Sequence, residues 1–80
     1  MWKEENKQLY RQFEFKDFKT AFDFMTKVAA AAEAMNHHPT WTNTYNKVEI
    51  RLSTHSAGDQ ITDKDRQLAA AIDGIYDENA

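Results

Sequence analysis

The spacing of apolar positions changes three times along this 80-residue chain, and each change marks a new element. Over Leu9-Tyr-Arg-Gln-Phe-Glu-Phe15 the period is two, with Leu9, Phe13 and Phe15 on one side and Arg11 interrupting the set. Alternation with aromatics predicts a half-buried strand. Trp2 to Glu5 is predicted as a short strand ahead of it, with Asn6-Lys7 as the turn. From Asp17 the period becomes helical. Phe18, Phe22, Met25, Ala29 and Ala32 recur at spacings of four, three, four and three, which predicts one face of an amphipathic helix. That stripe is the expected core face. The alanines from Ala29 to Ala32 favour helix. Asp17 is the expected N-cap, Asn36 the left-handed C-cap, and Pro39 forbids continuation. The residue before a proline is pushed to extended backbone, so His38 should have left the helix.

Val48, Ile50 and Leu52 then alternate with Glu49, Arg51 and Ser53, after Trp41-Thr-Asn-Thr-Tyr45 and Asn46-Lys47. This predicts a hairpin turning near Asn46. Strict alternation places His55 with Glu49, Arg51 and Ser53, away from the aliphatic face. Ser56 to Gln60 reads as a loop. Thr62-Asp-Lys-Asp65 opens a second helix with apolar positions at Leu68, Ala69, Ile72 and Ile75 or Tyr76. The expected fold is α+β in the order ββαββα: a four-stranded antiparallel sheet with helices on one face. One domain spanning 1–80 is expected.

Composition narrows the function. The net charge is -3 with signs interspersed, so no basic face for direct nucleic-acid binding is expected. The chain has no cysteine to form a disulfide, and no signal-type or membrane-length apolar run. A soluble cytoplasmic or nuclear location is the default expectation. A chain this short builds a thin core, which makes a homodimer or homotetramer a reasonable expectation.

The three histidines hold the candidate chemistry. His37 and His38 stand at the end of the first helix, and His55 follows the last strand. Histidine exchanges protons near neutrality and is also a common metal ligand. Against a three-histidine zinc site, adjacent histidines in extended backbone point apart, and no metalloprotease spacing is present; no metal is expected. Asp65 stands three residues after Thr62, nearly a capping box, and a helix-capping role is favoured for it over catalysis. Glu33, one turn before His37, can orient that histidine or be solvated. Tyr45 is expected in the core, while Trp41 can pack there or border a flat ligand.

The pattern Glu33-x3-His37-His38-Pro39-x5-Tyr45-x9-His55-x9-Asp65 resembles the signature of the pterin-4a-carbinolamine dehydratases, also known as dimerisation cofactors of a hepatic homeodomain transcription factor. Phe15-Lys-Asp-Phe18, Phe22-Asp-Phe-Met-Thr26, Trp41, Tyr45-Asn-Lys-Val48, Leu52-Ser-Thr-His55 and Leu68-Ala69 followed by Ile72 are similar to family sequence as well. Two features depart from it. Asn36 stands where members commonly carry an acidic residue, and the chain begins near the first strand, where members usually have a preceding helix.

The resemblance implies a dehydratase that takes a 4a-hydroxytetrahydropterin to quinonoid dihydropterin and water, without metal or organic cofactor, in tetrahydrobiopterin recycling. It implies a site in which His37, His38 and His55 are catalytic. His37 and His55 are the expected acid–base pair, with His38 assisting. Asn36, Trp41, Ser53, Thr54 and Ser56 join the histidines in holding the pterin, with Glu33 and Asp65 in support. It also implies a tetramer with helices at its centre, and a second class of function, a binding module that stabilises a homeodomain transcription-factor dimer. Recruitment to a different reaction is a third possibility.

Overall fold

The computed structural model describes residues 1–79. Strands β1 (Lys3–Glu5) and β2 (Gln8–Glu14) precede helix α1 (Phe18–Met35); strands β3 (Thr40–Thr44) and β4 (Lys47–Leu52) precede helix α2 (Asp63–Asn79). A short 3₁₀ turn, His55–Ala57, lies between β4 and α2. The strands form one antiparallel sheet in the order β1-β2-β4-β3. The ββαββα order and the α+β class are as expected.

The first hairpin turns on Asn6 and Lys7, both at positive φ (51° and 63°), the backbone of a two-residue primed turn that matches strand twist. In the β2–β4 register Leu9 faces Leu52, Arg11 faces Ile50 and Phe13 faces Val48. Those residues share the helix-covered face of the sheet. Leu9, Phe13, Phe15, Val48, Ile50 and Leu52 form one buried cluster with Ala21, Phe24, Val28 and Ala32 of α1 and Leu68, Ala69 and Ile72 of α2.

Arg11, which interrupts the apolar alternation, is inward-facing and satisfied. Its Nη1 donates to Asp73 Oδ1 at 2.6 Å, and its guanidinium lies 4.4 Å from the Phe13 ring centroid. Trp2 Nε1 donates to the same Asp73 oxygen at 2.8 Å. On the opposite, solvent face Tyr10 donates to Glu49 at 2.8 Å and Arg51 stacks over the Tyr10 ring. The hydrogen bond to Glu49 is the main cause raising the Tyr10 phenol above its ordinary pKa.

The helix face differs from the expected one. Helix α1 buries Ala21, Phe24, Val28 and Ala32. Phe18 and Phe22 are 47% and 52% exposed, Ala29 is exposed and Met25 half-buried, so of the expected stripe only Ala32 is buried in full. At 3.6 residues per turn the buried face is rotated by roughly 75°. The reason is that the apolar arc of α1 is broad, with Lys19, Thr20, Asp23, Thr26 and Lys27 on the other side, so spacing alone offers two stripes within it. Phe13 of β2 and Phe15 just after it choose between them. The Phe24 ring lies 5.0 Å from Phe13 and 4.9 Å from Phe15, between the two and closed by Tyr76 at 6.0 Å. Such ring pairs contribute about 0.5–1.5 kcal/mol beyond the area they bury. Phe18 and Phe22 stack on each other outside the core, centroids 5.7 Å apart.

Tyr45 is also not in the core. It is 62% exposed at φ 49°, in the turn of the β3–β4 hairpin. The Asn43 side-chain amide donates to the carbonyls of Tyr45 and Lys47, at 3.2 and 2.9 Å, and holds the turn that forces the ring outward.

Candidate active site

Three chain ends meet at one cleft: the C-terminus of α1, the segment after β4, and the first turn of α2. Asn36, His37, His38, Ser53, Thr54, His55, Ser56 and Lys64 line it, around a volume of about 430 Å³. That is within the usual range for a small-ligand site.

The end of α1 aims the paired histidines. Asn36 takes the left-handed conformation (φ 51°), and the His37 N–H bonds back to Ala32 O at 3.0 Å. This i to i−5 bond is the Schellman closure of a helix. The chain therefore turns sharply, and Pro39 starts it towards β3. His37 and His38 leave the turn on different courses, and each ring finds its own carboxylate.

His37 Nε2 lies 2.5 Å from Asp65 Oδ1. Asp65 is wholly buried. Its other oxygen accepts from the Thr54 hydroxyl and from the Thr62 backbone N–H, both at 2.8 Å. Thr54 has one hydroxyl proton, which goes to Asp65, so the Thr62 hydroxyl, 2.6 Å away, donates to Thr54. With both donors on Oδ2, Oδ1 is left to the Nε2–H of His37. That assigns the tautomer and leaves His37 Nδ1 as the ring's free position. Satisfied polar networks of this kind rigidify the groups they join.

Asp65 thus supplies the acidic half of a capping box, as expected, and in addition holds His37. The favoured reading of Asp65 as a cap alone is incomplete. The Thr62 hydroxyl is engaged by Thr54.

Glu33 pairs with the other histidine. Its Oε1 lies 2.8 Å from His38 Nε2, and both side chains are exposed. Of the two readings open for Glu33, orienting His37 or being solvated, the first does not hold, because the left-handed turn at Asn36 carries His37 towards Asp65. His55 opens the 3₁₀ turn, so strict strand alternation no longer governs it. Its Nδ1 lies 2.9 Å from Asp59 Oδ1.

The expected residues Asn36, His37, His38, Ser53, Thr54, His55 and Ser56 all line the cleft. Trp41 does not. It faces inward opposite Ile50 and packs, half-buried, against the core. Tyr45 lies at the far end of the β3–β4 hairpin, some five strand residues or roughly 17 Å from the cleft. Lys64 and Asp59 were not singled out from sequence. A signal existed for each: Lys64 lies within the Thr62–Asp65 cap, and Asp59 is four residues after His55. Among the described residues no group of three His, Cys, Asp or Glu side chains is placed to hold a metal ion.

The sequence profile described as "Pterin 4 alpha carbinolamine dehydratase" matches residues 1–75. The chain belongs to that family. A protein of Synechococcus sp. (strain WH7803) with the name "Putative pterin-4-alpha-carbinolamine dehydratase" is 53% identical over 74 residues, covering 92% of this chain and 78% of that protein. A protein of the same name from Paraburkholderia xenovorans is 57% identical over 67 residues, covering 84% and 69%. Among solved structures, the "transcriptional coactivator/pterin dehydratase from Brucella Melitensis" superposes with a TM-score of 0.89 at 40% identity, over 94% of this chain and 81% of that one. A pterin dehydratase-like protein identified as a RuBisCO assembly factor in the α-carboxysome has a TM-score of 0.81 at 24% identity, over 94% and 88%, and shares the fold.

Proposed function

We propose that this chain dehydrates a 4a-hydroxytetrahydropterin, giving quinonoid dihydropterin and water, in tetrahydropterin recycling. The observation that supports this most is the convergence of all three histidines on one cleft, each oriented by a carboxylate. Loss of water from the carbinolamine needs a proton delivered to the C4a hydroxyl as its C–O bond breaks, and the N5 proton removed as the C4a=N5 bond forms. Positioned acids and bases each contribute about 10²–10⁴-fold to such steps. His37 and His55 exchange the two protons, and His38 binds the substrate or assists. The Ser53–Ser56 segment and the Asn36 turn offer backbone and hydroxyl groups to the polar edge of the pterin. No step requires a metal or an organic cofactor.

The protein acts in the cytoplasm as a homodimer or homotetramer on this reading. The exposed Phe18–Phe22 pair is apolar surface that association would cover, and no helix among the described residues is long and apolar enough to cross a membrane.

The test is stopped-flow formation of quinonoid dihydropterin from carbinolamine generated in situ. Acceleration by catalytic amounts of the protein, undiminished by chelators, is expected. An unchanged rate contradicts the reading and favours the second one, a binding module that stabilises a transcription-factor dimer. The coactivator half of the Brucella relative's title motivates that alternative.

A further inference from the structure

We propose that Asp59 is a positioning residue for His55, fixing which of its ring nitrogens exchanges a proton at the cleft. The proposal rests on the dehydratase reading of the site. It starts from the backbone. Gly58 and Asp59 are consecutive left-handed residues, at φ 79° and 59°. Glycine adopts that conformation freely, whereas an aspartate there is strained, though less than most side chains. The loop over-determines it. Thr54 O accepts from the N–H groups of both Ala57 and Asp59, at 3.1 Å each, Gly58 N–H donates to His55 O at 3.0 Å, and Thr54 N–H donates to Gln60 O at 2.8 Å. A side chain that stands where glycine would be easier points to a use.

The geometry supplies one. The Asp59 carboxylate has a single partner among the described residues, the His55 Nδ1 at 2.9 Å. A carboxylate accepts only, so Nδ1 carries a proton whether the imidazole is neutral or charged. The proton that comes and goes is therefore the one on Nε2. On accepting the substrate proton at Nε2, the ring becomes an imidazolium whose Nδ1–H stays on Asp59; on giving it up, the ring returns to the same tautomer. A free imidazole favours the opposite neutral tautomer, with the proton on Nε2, which cannot act as the base there. The pair is exposed on both sides, and exposed pairs add little to stability. Asp59 is thus separable from the fold.

Asp59→Gly removes the carboxylate and the strain together. In the full chain, long-range ¹H–¹⁵N correlation spectra of neutral His55 are expected to move from the Nδ1–H pattern to the Nε2–H pattern. The kcat should fall about two- to fivefold, the rate equivalent of an exposed ion pair at full strength. KM should stay within about twofold because the group touches no substrate. The melting temperature should hold or rise. Asp59→Asn, which keeps the size of the side chain, should show a mixture of tautomers and an intermediate kcat. An unchanged tautomer in Asp59→Gly overturns the proposal, and so does wild-type kcat in a background where His55→Ala is impaired. The spectrum needs no substrate. Wild-type protein without dehydratase activity would therefore overturn the reading of the site, and the tautomer alone would then judge the Asp59 contact.

Discussion

His37 and His55 face the same cleft with the same kind of partner, yet the two pairs are built differently. The His37–Asp65 pair is anchored in the interior. Its carboxylate is wholly buried and takes two further hydrogen bonds, one of them from the helix it caps. The His55–Asp59 pair stands in solvent on a loop, and nothing else engages its carboxylate among the described residues. A buried hydrogen-bonded carboxylate is costly to disturb, because removing a charge partner leaves donors unsatisfied. An exposed pair is not. The contrast separates two jobs, holding the fold and holding the ring. Asp65 does both, and Asp59 does only the second.

The largest effects should come from the rings themselves. His37→Ala and His55→Ala are each expected to lower kcat by about 10²-fold or more while the circular dichroism spectrum stays folded. Loss of structure in His55→Ala would break the comparison, since that ring has no buried contact. Asp65→Asn comes next and should act on both scales. It should reduce stability by about 1–3 kcal/mol through the buried donors it leaves poorly matched, and kcat by about tenfold through the loosened His37. A change confined to melting temperature would reduce Asp65 to a cap.

Asp17 supplies the control. It caps α1 by accepting from Thr20 N–H at 2.8 Å and touches no cleft residue. The Thr20 side chain is the main cause holding its carboxyl below the ordinary carboxylate range, and this backbone hydrogen bond is the second. The sign follows. A depressed folded pKa contributes stability above the unfolded value, and this is lost as pH falls through the folded one. Asp17→Ala should therefore lower the melting temperature slightly at neutral pH, with the difference from wild type shrinking on acidification, and leave kcat unchanged. A lowered kcat would show that the α1 cap reaches the site.

A further test concerns association. Phe22→Glu on the uncovered face of α1 should shift sedimentation equilibrium at micromolar concentration towards the 9.3 kDa monomer. An unshifted oligomer would place the interface elsewhere.

How much of this was legible in the sequence depended on whether a residue's job was local. The element order was legible because the apolar period switches cleanly at Asp17, Val48 and Thr62. The Asn36 cap, the Pro39 stop and the start of α2 were legible because their signals lie within a few residues. The cleft was legible as a set of spaced histidines, including His55 after its strand. The buried face of α1 was not, because Phe18, Phe22, Phe24 and Val28 offer competing stripes, and only the rings of Phe13 in β2 and Phe15 just after it select one. Trp41 read as open between core and ligand; its pairing with Ile50 settles that it faces the core. Tyr45 read as core, yet it stands in the turn itself at φ 49°, where Asn43 holds the backbone and the ring points outward. The partners of the histidines were the least legible. Glu33 reaches His38 and Asp65 reaches His37 only because the chain reverses at Asn36, a geometric consequence that spacing does not express.

The most direct test compares the double variant His37→Ala/His55→Ala with each single variant in the stopped-flow dehydration assay. Residues serving one transition state are strongly non-additive. The double variant is expected to fall to nearly the rate of the weaker single variant, close to the rate without protein. Turnover in the double variant equal to that of the wild type would contradict histidine acid–base catalysis at this cleft.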